Sequence, residues 1–289
     1  MDEAGRAWIV QATGTSNVRA VRSLNFGVSS DLTLVEADGR ALVLRRWDRP
    51  DLLDQDPDVV SNEMRALKAG RAVLGGVVPE PIAGDRSGRR AGCPAVLMTR
   101  VPGASVVRDL DVGRLAAPAA ALHTATVPRD LPTSQHWFDP GGLAIPAWTS
   151  APAAWAALLD IVRGPEPAAS AVFLHRDYHP GNVLWSHGAI SGIVDWASAS
   201  LGPPGIDVAH TRTNLALVDG VDAAAAYLAA YTARVPSYRH AAWWDAADLV
   251  GFDDDFSGVL AFNTLGARLD VATLRDRADA FAVTLARGS

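Results

Sequence analysis

The sequence predicts an α+β fold in two parts: a small antiparallel β-sheet with one main helix, then a larger, mostly helical part. Three observations carry this. Residues 18–47 alternate apolar and polar side chains around Asp38-Gly39, the pattern of half-buried strands joined by a tight turn. Residues 56–75 change to helical spacing. Beyond Gly103, long alanine-rich stretches broken by proline and glycine take over.

Three strands come first. "NVRAVRSL" leads into the turn-like "NFGVSS", and "DLTLVEADGRALVLRRW" supplies a hairpin. In "DPDVVSNEMRALKAG", Asp56 is placed to cap a helix, Pro57 suits its first turn, and Gly70 or Gly75 can end it. Val60, Met64, Leu67 and Leu74 share one helical face, which reads as core. "PEPIAGDRSGRRAGCPAVLMTRVPG" reads as two more strands around a Gly/Arg-rich turn, with Pro102-Gly103 as a linker. Helices are expected around 111–126, 151–163, 221–234 and 264–287. Between them, in 171–200, "AVFLH", "NVLW" and "AISGIVDW" read as short strands among loops.

Composition narrows the function classes. The chain has 289 residues, 49% hydrophobic and 20% charged, the balance of an ordinary globular protein large enough for two lobes. A net charge of −6 gives no general attraction to nucleic acid or anionic membrane, so neither partner is expected. The start "MDEAGRAWIV" lacks the regions of a signal peptide and no run is long enough to span a bilayer, so a cytoplasmic location is expected. Cys93 is the only cysteine, which excludes an intrachain disulfide and a multi-cysteine metal site. Lys68 is the only lysine, so a function that needs lysine must use it or do without.

The stretch "FLHRDYHPGNVLW" (173–185) sets two histidines, an arginine, an aspartate and an asparagine among apolar residues. His175-Arg176-Asp177, then Asn182, then Asp195 follow the order and spacing H-R-D-x-x-x-x-N and D of a phosphoryl-transfer loop. The chemistry wants these residue types. Mg²⁺ bridging nucleotide phosphates takes hard oxygen ligands, here the Asn182 amide and the Asp195 carboxylate. Asp177 would accept or orient the proton of the attacking hydroxyl. A P-loop is ruled out because Lys68 is followed by Ala69, and no G-x-G-x-x-G opens a helix. A metal-dependent hydrolase using His175, Asp177 and His179 is the competing reading. It needs a regular strand where Tyr178-His179-Pro180-Gly181 reads as a loop, and no H-x-x-x-H or cysteine set is present beyond it.

Together with "GIVDWASASLGPPGIDVA", this stretch resembles the aminoglycoside phosphotransferase family, small-molecule kinases of a protein-kinase-like bilobal fold that also resemble choline kinases. "LNFGVSS" is similar to that family's phosphate-covering loop, "LVLRR" to its third strand, Glu63 in "SNEMRALKAG" to its helix glutamate, and "VLMTRVPG" to its hinge. The resemblance implies an N-terminal nucleotide-binding lobe (1–100), a hinge (101–103) and a helical C-terminal lobe (104–289) with the catalytic loop and acceptor site. It implies Asp177 as catalytic base, Asn182 and Asp195 as Mg²⁺ ligands, and Asp207 as an anchor of the catalytic loop. Gly27, Ser29, Ser30, Val43, Arg45, Glu63, Met98 and Arg100 would contact the nucleotide. His179 would either approach the transferred phosphate or brace the loop, and His175 would pack beneath it.

One departure stands out: the third strand has no lysine. Arg45 shares a face with Ala41 and Val43, a small apolar floor suited to adenine, whereas Arg46 shares the face of Leu42 and Leu44. Arg45 is therefore the preferred substitute, able to hold phosphate and to pair with Glu63. The implied activity is transfer of the γ-phosphate of ATP or GTP to a hydroxyl of a small acceptor, aminoglycoside-like or otherwise amine- or sugar-bearing. The alternative, motivated by the missing lysine, is a catalytically silent nucleotide-binding protein of the same fold. In "RHAAWWDAADLVGFDDDFSG", Trp243, Trp244, Asp245, Asp248 and Asp253–Asp255 either line the cleft or pack as core with the aspartates capping a helix near Phe256. The sequence leaves open the acceptor, the choice of ATP or GTP, and the oligomeric state.

Overall fold

The alternation in residues 18–46 builds a five-stranded antiparallel sheet. A computed structural model describes residues 1–24, 30–137 and 142–288. Strands β1 (Val18–Ser23), β2 (Asp31–Ala37), β3 (Arg40–Arg46), β4 (Pro81–Asp85) and β5 (Ala95–Thr99) lie in the order β1-β2-β3-β5-β4. Asp38 and Gly39 take φ of 51° and 76°, the conformation an Asp-Gly hairpin turn favours, and set Ala37 opposite Arg40. Pairing of Val43 with Met98 and of Arg45 with Val96 puts Ala41, Val43, Arg45 and Met98 on one face.

The other face buries Val35, Leu42, Leu44 and Leu97 under α1 (Glu3–Thr13), a helix not expected from the sequence. α1 contributes Trp8 and Ile9 to this separate small core. Its ends carry readable signals: the Asp2 carboxylate accepts from Gly5 N–H at 2.8 Å, and Gly14 closes the helix at φ 73°. Arg46 emerges on this side and pairs with Asp2 (2.8 Å) and Asp31 (3.2 Å).

The main helix starts later than expected. Pro50–Gln55 forms a short α2, and α3 (Val59–Leu74) begins only after Asp58. Pro57 sits in the intervening turn, which Asp56 closes by accepting from Asp58 N–H at 3.1 Å. Gly75 ends α3 at φ 68°, and Gly70 stays inside it. Gly70 is needed for close approach, because a Cβ there would stand 2.6 Å from the Trp196 ring. In the Gly/Arg-rich turn between β4 and β5, Asp85 accepts from the N–H groups of Arg90 (2.7 Å) and Ala91 (2.9 Å). After β5 the Ser191 hydroxyl donates to Pro102 O at 2.7 Å, which ties the expected linker to the second part of the chain.

That second part opens with β6 (Ala104–Ser105), α4 (Val112–Thr124), α5 (Pro152–Arg163), β7 (Val172–Leu174), β8 (Val183–Ser186), β9 (Ala189–Ile193) and β10 (Ser200–Gly202). It continues through α6 (Gly205–Asp219), α7 (Val221–Arg234), α8 (Ala242–Val250), α9 (Ser257–Leu260) and α10 (Val271–Gly288). The strands pair as β10-β7 and β6-β8-β9. The helix expected from 264 begins only at Val271: Gly266 breaks the chain at φ 88°, and Asp270 caps α10 by accepting from Thr273 N–H at 2.7 Å. α6 is the centre of this part, with every residue from Asp207 to Val218 buried, polar ones included. One core joins α3 to α4, α6, α7, α8 and α10. Among the described residues no helix is long and apolar enough to cross a membrane.

Candidate active site

The loop between β7 and β8 is fixed from below by buried groups. Asp207, on the first turn of α6, accepts from the backbone N–H of His175 (2.9 Å) and Arg176 (2.8 Å), and from His123 Nε2 of α4 (3.2 Å). Tyr178 reaches down to donate its hydroxyl to Leu115 O at 2.7 Å, and Thr211 Oγ1 donates to Tyr178 O at 2.7 Å. Arg176 takes φ 73°, a left-handed conformation unusual outside glycine that turns the chain and lifts Asp177 clear of the core. His175 packs beneath, fully buried, and donates through Nε2 to Val194 O at 3.0 Å. Burial lowers its pKa, so it is a neutral, structural imidazole.

Asp177 and Asn182 meet above this base. Asn182 Nδ2 donates to Asp177 Oδ2 and to Asp177 O, both at 2.9 Å, which uses its amide hydrogens and leaves its oxygen uncommitted. His179 Nδ1 accepts from Gly181 N–H at 3.0 Å, so its proton stands on Nε2, 3.4 Å from Asp177 Oδ1. Its ring also packs on Phe262, and these contacts give it the loop-bracing position. On the other side, His210 of α6 reaches Asp177 Oδ1 through Nε2 (3.3 Å) and Asp248 Oδ1 of α8 through Nδ1 (3.1 Å). Burial works against its charge, but Asp248 and Asp177 outweigh this and push the pKa up to about 10. Burial would likewise raise Asp177, yet His179 and His210 hold its carboxyl well below the usual range. His210 and Asp248 were not singled out by sequence as neighbours of Asp177; they meet it only through the packing of α6 on α8.

Atoms of Asp177, His179 and His210 lie within 4.8 Å of one another, a spacing compatible with a metal centre. The protons argue otherwise. His179 Nε2 carries its hydrogen because Nδ1 is already an acceptor, and His210 between two carboxylates is a cation. Neither presents a lone pair to a metal. The donor set considered for a hydrolase is not assembled either, since His175 is turned to Val194.

Asp195 arrives on the end of β9. Val194 N–H donates to Asn182 O at 3.0 Å, and Val183 pairs with Ile193, so Asn182 and Asp195 sit side by side on neighbouring chain segments. Asp195 adopts φ 65°, a conformation that costs a non-glycine residue about 1–2 kcal/mol. Its Oδ1 accepts from Arg45 Nη1 at 2.7 Å. The same guanidinium binds Glu63 Oε1 of α3 at 2.9 Å, and its Nε donates to Ser30 Oγ at 2.8 Å. The Arg45 and Glu63 side chains are 4% and 1% exposed. Burial opposes the charge of Arg45, but Asp195 and Glu63 hold it firmly protonated, while burial raises Glu63 against the pull of Arg45. Val43 and Met98 lie on the same sheet face as Arg45, and Arg100 follows β5 with its N–H on Ala41 O at 3.1 Å. Gly27 and Ser29, expected in the phosphate-covering loop, lie outside the described residues.

Beside Asp177 opens a cavity of about 190 Å³. Trp243, Trp244, Asp248 and Asp253 line it together with His210, Arg176, Trp137 and Phe252. Of the side chains singled out in 243–255, then, four line this cavity and one aspartate caps a helix. Trp243 and Trp244 are buried (8% and 4% exposed), yet they form a cavity wall, and Asp255 does accept from Ser257 N–H (3.0 Å) at the start of α9.

The fold has solved counterparts. A putative aminoglycoside phosphotransferase from Ralstonia eutropha JMP134 superposes with a TM-score of 0.65 at 16% identity, covering 99% of this chain and 98% of its own. A thermostable mutant of aminoglycoside phosphotransferase APH(4)-Ia, solved with AMP-PNP and hygromycin B, gives 0.61 at 18% identity, covering 98% of each chain. Macrolide 2'-phosphotransferase MphH from Brachybacterium faecium gives 0.56 at 18% identity, covering 97% of this chain and 98% of its own. At such identities these likenesses establish the protein-kinase-like fold. Among curated proteins no sequence matches. A sequence model of the Phosphotransferase enzyme family matches residues 20–244, well over half of the chain, and the chain belongs to that family.

Proposed function

We propose that the protein is a small-molecule kinase that transfers the γ-phosphate of ATP or GTP to a hydroxyl of a small acceptor. In this reading residues 1–100 hold the nucleotide, 101–103 are the hinge, and 104–289 carry the catalytic loop and acceptor site, working in the cytoplasm. The observation that carries it is the meeting of Asp177, Asn182 and Asp195 at one place, with Asp195 linked through Arg45 to Glu63. The comparisons add that relatives of this fold have been solved with AMP-PNP and ADP.

The residues present fit a divalent cation. The Asn182 amide oxygen is turned away from its own hydrogen bonds, and the Asp195 carboxylate is 30% exposed, together a hard-oxygen pair of the kind Mg²⁺ takes. When bound there with nucleotide, Mg²⁺ would neutralise charge on the phosphates. Arg45, fixed by Glu63 and Ser30, would offer guanidinium N–H groups to phosphate in place of the strand lysine. Ser30, Val43, Met98 and Arg100 would flank the nucleotide. Asp177, kept ionised by its two histidines, would accept a hydrogen bond from the acceptor hydroxyl and align its oxygen with the γ-phosphorus. As the new O–P bond forms and the bond to the departing nucleoside diphosphate breaks, the hydroxyl proton passes to Asp177. A carboxylate of such low basicity takes that proton late, so alignment is the greater part of its contribution. His179 would hold the loop at Gly181 and Asp177.

Asp177→Asn tests the assignment. It keeps the shape and the Asn182 neighbour but cannot take a proton. The expected result is loss of phosphate transfer by at least about 10²-fold, with Mg-ATP binding by calorimetry within about threefold of wild type. Turnover like that of wild type would remove Asp177 from its role.

A further inference from the structure

The cavity beside Asp177 carries a signature of its own contents. Its walls are aromatic: the indoles of Trp243 and Trp244, and Phe252 at the end of α8. Among its lining side chains the charges balance, Arg176 and His210 against Asp248 and Asp253. Asp248 is paired with His210, which is held as a cation between Asp248 and Asp177. Arg176 lies flat on Trp137, 3.6 Å from the ring centroid, and donates to Gln135 O at 2.6 Å. The other aspartates of the segment serve the protein. Asp245 binds Arg212 (3.0 Å) and His240 (2.6 Å), Asp254 accepts from Trp148 Nε1 (3.0 Å), and Asp255 caps α9. Only Asp253, at the exposed rim, makes no ion pair or side-chain hydrogen bond among the described residues of 245–255.

We propose that this cavity seats an uncharged, ring-bearing alcohol and turns away polyamines. A flat or cyclic carbon frame gains from the indole and phenyl faces. A space of about 190 Å³ is below the roughly 300–1,000 Å³ of drug-sized sites and suits about one ring. Asp248 Oδ2 has no hydrogen-bond partner among the described residues but is closed off from the cavity, so the carboxylate open to a ligand hydroxyl is that of Asp253 at the rim. A polyamine would instead bring several ammonium groups toward the cationic Arg176 and His210, with Asp253 alone to receive them. The inference deepens the kinase reading, which it needs only for the fate of the hydroxyl once bound; occupancy of the cavity is measured separately.

Binding is read by tryptophan fluorescence and calorimetry on the full chain, with phenyl β-glucoside, methyl β-glucoside and myo-inositol against spermine and kanamycin. Phosphate transfer from ATP and GTP is followed in parallel. The expected result is that at least one neutral ring alcohol binds at least tenfold more tightly than either polyamine. Its Kd should change less than twofold between 20 and 500 mM NaCl, since no net charge is neutralised. Phe252→Ala should weaken it at least fivefold. His210→Leu, which leaves Asp248 uncompensated, should narrow the gap by improving polyamine binding; the salt series on wild type carries the same information if that variant does not fold. Tighter, salt-sensitive polyamine binding, or no binding by any neutral ring alcohol, overturns the proposal. Phosphorylation of kanamycin in preference to the neutral set overturns it while leaving the kinase reading intact. A neutral alcohol that binds in the cavity at saturation but is never phosphorylated upholds the selectivity and counts against the kinase reading.

Discussion

Arg45→Ala isolates the consequence of placing an arginine on the sheet face that carries Val43 and Met98. The guanidinium and the Glu63 carboxylate are nearly inaccessible, so deleting one leaves the other as a buried, uncompensated charge. Breaking such a pair costs about 3–5 kcal/mol. Loss of the Asp195 contact adds little, because that carboxylate is 30% exposed and water can replace the guanidinium. The variant has a second signature in pH. Burial already raises the Glu63 pKa, and Arg45 is the group that opposes it. Without Arg45 the folded protein binds a proton at Glu63 over a range in which the unfolded chain, with an ordinary glutamate near 4.5, does not. A carboxylate raised in the folded state stabilises most below its unfolded pKa and loses that contribution as pH rises through the folded value. The penalty in Arg45→Ala should therefore shrink as pH falls, by up to about 1.4 kcal/mol per unit inside that window. Urea denaturation of wild type and variant at pH 8 and pH 5 measures it. About 3–5 kcal/mol at pH 8, falling to half or less at pH 5, is expected; adding Glu63→Gln should recover part of the loss at pH 8. A penalty under about 1 kcal/mol, or one equal at both pH values, would refute the account of a buried pair.

Other perturbations probe the surrounding frame. Gly70→Ala pushes a methyl into Trp196 and should cost about 1–3 kcal/mol, visible as a lower melting temperature. His210, raised from 6.5 to about 10, gives stability that is complete below pH 6.5 and lost as pH climbs toward 10. His210→Gln should flatten the decline of wild-type stability across that interval, a difference of a few kcal/mol in denaturation series. Asp279 on α10 accepts from Thr149 Oγ1 (2.5 Å), Ser150 N (2.8 Å) and Trp155 Nε1 (2.7 Å). Asp279→Ala strands these donors and should cost about 3 kcal/mol, with Asp279→Asn recovering part of it.

What the sequence disclosed and what it withheld divide by the range of the forces involved. Arg45 could be preferred to Arg46 in advance because strand alternation fixes which way each residue of β3 points, whereas Glu63 as its partner came from the resemblance of its helix to that of the family. Asp177, Asn182 and Asp195 were readable because a loop motif compresses its geometry into fixed spacing. α1 was missed although Asp2 and Gly14 mark its ends; with only Gly5, Trp8 and Ile9 buried, its apolar stripe is too short to stand out. α6 was hidden for another reason. It is buried on all sides and carries Thr211, Arg212, Thr213 and Asn214 inside, so it has no apolar stripe to detect. With α6 unseen, the contact of His210 with Asp248, 38 positions apart, could not be foreseen. Likewise, the start of α3 at Val59 depended on Pro57 settling into a turn, a choice between two local signals that tertiary packing decides.

The substitution of arginine for lysine on β3 also decides which chemical reporters will see this protein. Reagents that carry an activated acyl group on a nucleotide mark kinases by acylating the strand amine, and a protonated guanidinium does not react with them. The lone lysine, Lys68, is exposed on α3 rather than bonded into the Arg45–Glu63–Asp195 cluster. Acyl-nucleotide profiling should therefore pass over this chain even when it is present and active, and arginine-selective dicarbonyls would mark exposed surface arginines rather than Arg45, whose side chain is 4% exposed.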